Sequence, residues 1–385
     1  MYSMLRHAGS ILWTRRPIQL TFFVTRKCNA RCPFCFYLQS AEAAKADADD
    51  ELSLEEIRKL AGSLGSLLWL AFSGGEIFLR KDLPEISRIF YRRNRPAIML
   101  FPTNGLLPEL IHQSTAQILR DCENSVVVVK ISLDGVGAAH DTLRRTPGGF
   151  DKAMQTYHRL AGLLAGHPNF ELGVNTVFCS ENQDQMDEII EFVQGLEHIR
   201  THTISLVRGD LADPGYQAVD HEKYRRAIAK LAENLRSRAA PIYRFSGGRL
   251  KAAQDILQRR LIHRTLLEQR RLIPCHAGRL NLVMSETGEV YPCETRRESF
   301  GNVRAHAYDL LSVLQTAEAR AALGSIERWE CHCSHECYFI TNILFSPRCY
   351  PALATEWLRL RPTPAQQNDA GVETVPAGPT ARTGS

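Results

Sequence analysis

Hydrophobic positions between residues 18 and 207 follow two alternating rhythms. Short, nearly unbroken apolar runs occupy Ile18–Thr25, Leu67–Ser73, Ala97–Thr103, Val126–Leu133, Leu172–Cys179 and Thr203–Val207. Between them, apolar residues recur every three or four positions over Leu54–Leu64, Leu83–Arg93, Glu109–Cys122, Phe150–Leu164 and Met186–Leu196. A continuous apolar run is the pattern of a strand buried on both faces, and the intervening period is that of an amphipathic helix. Ser53 followed by Glu56 makes a capping-box pattern that opens the first helix. Right-handed crossovers through six such units predict an α/β fold, an open partial (β/α)6 barrel, too short to close as an eight-unit one. Functional side chains are expected where the C-terminal ends of the strands pass into loops.

Beyond the alternation, His221–Gln269 reads as helical, and a second group of cysteines follows it. After Arg361 the chain turns to Pro, Ala, Gly and Thr without large apolar residues, the composition of a disordered tail. The expected organisation is a lead-in over 1–17, a barrel core over 18–235, a helical linker over 236–274, a small cysteine-bearing domain over 275–361 and a tail over 362–385.

Composition narrows the partners. A hydrophobic fraction of 44% and a charged fraction of 23% belong to an ordinary globular chain, and a net charge of +5, scattered along helices, gives no reason to expect nucleic acid. No apolar run is long enough for a transmembrane segment. The N-terminal MYSMLRHAGSILWTRRP lacks the apolar core and cleavage site of a signal peptide. It reads as a lead-in, with a membrane-surface contact through Leu12, Trp13, Arg15 and Arg16 as the lesser alternative. The 11 cysteines are clustered in a way that suits metal binding in a reducing, cytoplasmic setting.

The first cluster is TRKCNARCPFCFY, where Cys28, Cys32 and Cys35 stand at C-x3-C-x2-C spacing in a loop leaving a strand. Three thiolates on a four-iron cube leave one iron without a protein ligand, open to a cofactor or substrate. The rival is a zinc site with a fourth ligand elsewhere. Zinc ligands usually arrive in pairs, and the lone triplet favours the iron–sulfur cluster.

The triplet followed by Phe36 resembles the signature of the radical S-adenosylmethionine (SAM) superfamily. Ser73-Gly74-Gly75-Glu76, Thr103-Asn104-Gly105 and Ser132-Leu133-Asp134-Gly135 follow in the expected order, with His140, Asp141 and Arg144 after them. The resemblance implies a partial TIM barrel in which Cys28, Cys32 and Cys35 hold a [4Fe–4S] cluster and SAM chelates its open iron. Gly74, Gly75 and Glu76 would then meet the methionine amino group. Thr103 and Asn104 would face the same cavity. Ser132 and Asp134 would reach the ribose or the methionine carboxylate, and Arg144 would grip that carboxylate. Asp134 also fits a plain turn and helix cap. Asn175 and Arg208 either line the cavity or satisfy local backbone groups.

Cys275, then twelve residues, Gly288, four more and Cys293 resemble the start of the SPASM or twitch domains that carry auxiliary clusters in this superfamily. The segment LNLVMSETGEVYPCE reads as a β-hairpin with a Thr-Gly turn. Downstream, Cys331, Cys333 and Cys337 follow C-x-C-x3-C spacing and Cys349 comes later, which departs from the full SPASM pattern. Six cysteines suffice for one four-thiolate cluster and not for two. The expected auxiliary [4Fe–4S] cluster is held by Cys275, Cys293 and two of Cys331, Cys333 and Cys337, with His276, His332 and His335 as lesser candidates. Cys122 and Cys179 read as ordinary buried thiols.

The resemblance implies an enzyme in which a donor such as flavodoxin or ferredoxin reduces the first cluster and SAM is cleaved to a 5′-deoxyadenosyl radical. That radical takes a hydrogen atom from a substrate. The substrate class stays open between a ribosomally made peptide and a small-molecule, sugar or lipid-linked intermediate. About 17 residues precede the first strand, so an added N-terminal peptide-recognition domain is not expected, which weakens the peptide reading without excluding a separate recognition protein. A non-catalytic metal scaffold is the third reading, and it leaves the GGE, SLDG and Arg144 features without a purpose.

Overall fold

A computed structural model describes residues 1–12, 16–37, 50–296 and 298–360. The expected tail, together with Trp13 and Arg15, lies outside the described residues.

Six parallel strands form the expected barrel wall: β1 (Gln19–Thr25), β2 (Trp69–Gly74), β3 (Ile98–Thr103), β4 (Val126–Ser132), β5 (Phe170–Phe178) and β6 (Thr201–Leu206). They pair in chain order, β6-β5-β4-β3-β2-β1, through the crossover helices α1 (Leu54–Ser63), α2 (Leu83–Asn94), α3 (Pro108–Asp121), α4 (Ala138–Arg144), α5 (Gly149–Ala161) and α6 (Met186–Gln194). The capping box is present: Ser53 accepts from the Glu56 amide and Glu56 from the Ser53 amide. The two faces of the strands do different work. Outward side chains such as Phe22, Phe72, Phe101 and Val129 pack under the helices against Ile57, Phe90 and Ile118. Inward ones, Trp69, Ala71, Ile98 and Val128, face the concave side and meet Phe245 and Ile340.

The stretch His221–Gln269, read as helical, holds two helices. α7 (His221–Ser237) ends where Arg238 turns left-handed (φ 66°), Pro241 follows, and Gly247 at φ 94° starts α8 (Gly248–Glu268). α8 buries polar positions, Gln254, Asp255, Gln258 and Arg259 among them, and several line the concave side of the barrel. It is part of the site wall rather than a spacer.

The expected hairpin is β7 (Asn281–Met284) with β8 (Glu289–Tyr291), and β9 (Gly301–Asn302) adds a short third strand. β7 pairs parallel to β1, with Gln19 opposite Asn281, so one nine-stranded sheet runs across the boundary expected at residue 275. α9 (Leu310–Val313), α10 (Ala317–Glu327), α11 (Glu336–Leu344) and α12 (Tyr350–Arg359) complete the fold. α11 carries Ile340 onto the concave face, so the cysteine-bearing region supplies part of the barrel's lining. Among the described residues no helix is long and apolar enough to cross a membrane.

Candidate active site at the barrel mouth

Every residue group singled out in the barrel lies at the C-terminal ends of the strands. Cys28, Cys32 and Cys35 follow β1 and line an opening of about 430 Å³ together with Arg26, Lys27 and Arg31. The loop is tightened by the Cys35 amide donating to the Cys32 carbonyl (3.2 Å) and the Ala30 amide to Cys28 Sγ (3.4 Å). Burial pushes the Cys28 and Cys32 thiols up from the ordinary range, and the nearby Arg144 guanidinium pulls both back toward thiolate. Thiolate is the form a metal needs.

Gly74 and Gly75 are required by the protein itself. A Cβ on Gly74 would lie 2.2 Å from the Thr25 carbonyl oxygen, and one on Gly75 would lie 2.1 Å from that of Lys27. The β2 loop thus passes directly against the root of the cysteine loop, and the Gly75 and Glu76 amides donate to those two carbonyls (2.8 and 2.9 Å).

Glu76 turns inward, where it accepts from Thr103 Oγ1 (2.9 Å) and the amides of Asn104 (2.7 Å) and Phe78 (3.3 Å). Burial pushes its carboxyl up to about 7, against the pull of these donors. It ties the β2 loop to the β3 loop. Asn104 in turn donates to Asn29 Oδ1 (2.8 Å), the residue beside Cys28.

Asp134 is fully buried after β4 and splits its oxygens between the Val177 amide (2.7 Å) and Arg144 Nη1 (2.7 Å). His140 Nδ1 accepts from the Asp134 amide (3.2 Å), and Asp141 caps α5 through the Phe150 amide (2.7 Å). Asp134 therefore aims Arg144 toward the cysteines, whose charges raise the guanidinium's pKa although burial opposes this. Ser132 stands opposite Asn175 on β5, and Asn175 Oδ1 accepts from Ser205 (3.0 Å). Arg208 follows β6; its guanidinium lies 5.0 Å from the Phe36 ring centre, and it pairs with Glu294 (3.1 Å).

In the second group, Cys275, Cys293, Cys331 and Cys333 line one small cavity of about 40 Å³. Arg271 Nη2 donates to Cys331 Sγ (2.9 Å), with Arg296 on the same sulfur at 3.9 Å. Thr295 Oγ1 lies 3.2 Å from Cys293 Sγ. Burial, with the neighbouring thiols adding to it, pushes Cys333 up to about 12.

Cys337 is elsewhere. It sits in the first turn of α11 and lines the barrel cavity with Lys130, Arg208 and Glu336. The histidines are engaged otherwise: His276 with Ser346 (3.3 Å), His332 with Gln269 (3.3 Å) at the edge of the four-cysteine cavity, and His335 with Glu294 (2.7 Å). Cys122, Cys179 and Cys349 are buried. Among the described residues no set of three or more His, Cys, Asp or Glu side chains is gathered for a single metal ion.

The site also contains residues that the sequence did not single out. Lys130 is on the inward face of β4, Arg259 comes from α8, and Glu294 and Glu336 close the mouth. Lys130 had a visible signal, one charge in the otherwise apolar strand VVVVKIS.

An open parallel half-barrel with a cysteine triplet at its mouth defines a class, and residues 22–193 match the sequence model of the Radical SAM superfamily. Those residues form a Radical SAM domain. It is 26% identical over 305 residues to the antilisterial bacteriocin subtilosin biosynthesis protein AlbA of Bacillus subtilis (strain 168), a match covering 76% of this chain and 59% of AlbA. It is 34% identical over 146 residues to Fe-coproporphyrin III synthase of Methanosarcina barkeri (strain Fusaro / DSM 804), covering 37% of this chain and 34% of that protein. The chain thus spans between about a third and three fifths of these two relatives. Among solved structures, Streptococcus suis SuiB bound to precursor peptide SuiA superposes with a TM-score of 0.56 at 16% identity, over 83% of this chain and 70% of SuiB. That likeness is one of fold.

Proposed function

We propose that this chain is a radical SAM enzyme that matures a ribosomally made peptide. The observation that carries the reading is the arrangement at the barrel mouth: three thiols on one short loop, with the buried Asp134–Arg144 pair directed at two of them. Cys28, Cys32 and Cys35 would hold the first [4Fe–4S] cluster, and Cys275, Cys293, Cys331 and Cys333 an auxiliary one in a SPASM- or twitch-type domain. The cluster and SAM together, when bound, supply reductive cleavage of SAM to a 5′-deoxyadenosyl radical able to take a hydrogen atom from substrate. The protein's own part is positional. Arg144, aimed by Asp134, offers a guanidinium to the methionine carboxylate. The backbone around Gly74–Glu76, locked by Glu76 to the Thr103–Asn104 loop, offers polar groups to its amine. Ser132, Asn175 and Arg208 line the remaining approach.

The name of AlbA and the peptide bound to SuiB support a peptide substrate. The 34% match to Fe-coproporphyrin III synthase favours the second reading, a small-molecule intermediate. A one-electron donor such as flavodoxin or ferredoxin is the partner this chemistry requires. Eleven cysteines without a disulfide suit the reducing cytoplasm.

Anaerobically reconstituted protein is expected to hold about eight irons per chain, from two four-iron cubes. With dithionite and SAM it is expected to release 5′-deoxyadenosine. Changing Cys28, Cys32 and Cys35 to Ala should abolish that release and leave about half the iron. Zinc in place of iron, or release that survives the triple change, overturns the reading.

A further inference from the structure

Inside the half-barrel lies a cavity of about 270 Å³, closed on its open side by α8 and α11. Its charges do not balance. Lys130 projects into it from the middle of β4. The neighbouring inward position on β5 is Gly173, where a Cβ would come within 2.4 Å of Thr201 Oγ1 and 3.5 Å of Lys130 Cγ. Backbone packing thus clears the space beside the lysine stem. The ammonium donates to Thr203 Oγ1, and its charged neighbours are Lys251, Asp255 and Arg259. Arg259, more than nine-tenths buried, gives Nη2 to the His202 carbonyl (2.9 Å), while its Nη1 has no hydrogen-bond partner.

The acceptors nearby are already committed. Asp255 gives one oxygen to Lys251 and the other to the Tyr243 hydroxyl (2.8 Å). At the mouth, Glu294 is held by Arg208 (3.1 Å) and His335 (2.7 Å), and Glu336 accepts from the Leu206 amide (3.3 Å). The cavity floor therefore presents three cations to one carboxylate, Asp255, whose two oxygens are taken by Lys251 and Tyr243. Burying a cation without a partner is costly, and a guanidinium edge with a free N–H beside an ammonium is the donor arrangement that recognises a carboxylate.

We propose that the cavity seats a carboxylate of the substrate between Lys130 and Arg259. The substrate of this site is thus an acid, carrying its anionic group on the part that enters the barrel. The inference takes from the proposed function only that substrate enters this cavity. The carboxylate belongs to an acidic side chain or C-terminus of a peptide, or to a small carboxylic acid.

The test is equilibrium binding to the reconstituted full chain by fluorine NMR, without turnover. The probes are 4-fluorophenylacetate and its neutral counterpart 2-(4-fluorophenyl)ethanol. The acid should bind at least about tenfold more tightly than the alcohol, the scale of one charge-assisted hydrogen bond. Lys130→Met and Arg259→Gln should each weaken the acid by about tenfold and leave the alcohol unchanged. Displacement by N-acetylglutamate N-methylamide identifies a side-chain carboxylate as the source, displacement by N-acetylglycine a C-terminus, and displacement by neither a small acid. Equal binding of acid and alcohol, or variants that bind the acid like wild type, overturns the proposal. Iron content and thermal midpoint show which variants are folded, and Arg259→Lys, which keeps the charge, serves if Arg259→Gln is not. Because no SAM cleavage is read, failure here is distinct from failure of the radical SAM reading.

Discussion

Arg208 and Glu294 meet across the mouth of the barrel, Nη2 to Oε2 at 3.1 Å, and this contact joins the end of β6 to the residue that follows Cys293. Arg208 also lies over Phe36, the neighbour of Cys35. One ion pair thus stands between the loops of both cysteine groups. Burial alone would raise the Glu294 carboxyl, but His335 and Arg208 outweigh it and hold it at about 2. Glu294→Gln leaves the guanidinium without its main counter-charge. It should lower stability by about 3 kcal/mol, the range for breaking one side of a buried pair. Urea unfolding of the reconstituted protein measures this, and a change below about 0.5 kcal/mol would place the pair with ordinary surface salt bridges.

The two cavities that divide the second cysteine group give a sharp contrast in iron content. Cys331→Ser and Cys333→Ser should each lower bound iron from about eight toward about four per chain. Cys337→Ser should leave iron unchanged, since its thiol faces Lys130 and Arg208 rather than the other four. Iron analysis with the visible absorbance of each variant decides it. Loss of a cluster in Cys337→Ser would mean that α11 docks differently from the arrangement described.

Lys130 ties stability to pH. Burial first, then Lys251 and Arg259, lowers its pKa to about 8, although its ammonium faces an enclosed space rather than packed atoms. Unfolded, it titrates near 10.5. Between those values the unfolded chain binds more protons, so this residue's contribution to stability rises with pH through that window. Below about pH 8 its full cost is present, up to about 3 kcal/mol and less where water in the cavity screens the charge. Lys130→Met should therefore be more stable than wild type at pH 7, with the difference shrinking by pH 10. Denaturation midpoints of both proteins across that range measure it, and a constant difference would show that the lysine is not desolvated.

Strand positions were readable because the central barrel strands are buried on both faces, so runs such as Val126–Ile131 are apolar at nearly every position. The same property conceals which side is inward, and with it the role of Lys130. α8 was readable as a helix and not as a wall of the site, because its buried side includes Gln254, Asp255, Gln258 and Arg259, residues that pattern reading assigns to solvent. The spacing of Cys331, Cys333 and Cys337 does not tell which two stay together. The start of α11, where His335 accepts from the Cys337 amide (3.3 Å), swings Cys337 toward the barrel. Gly74 and Gly75 were legible as close-approach positions, but what they approach, the carbonyls of Thr25 and Lys27, is a contact between two loops.

The pairing of β1 with β7 bears on how the chain is made. The strand that leads into the first cysteine loop has its second edge covered by Asn281–Met284. At ribosomal rates of about 5–20 residues per second, that edge waits roughly 13–52 s for its partner to emerge. Until then it is an open template for pairing with other nascent chains. Fragments cut before β7 should therefore aggregate when expressed.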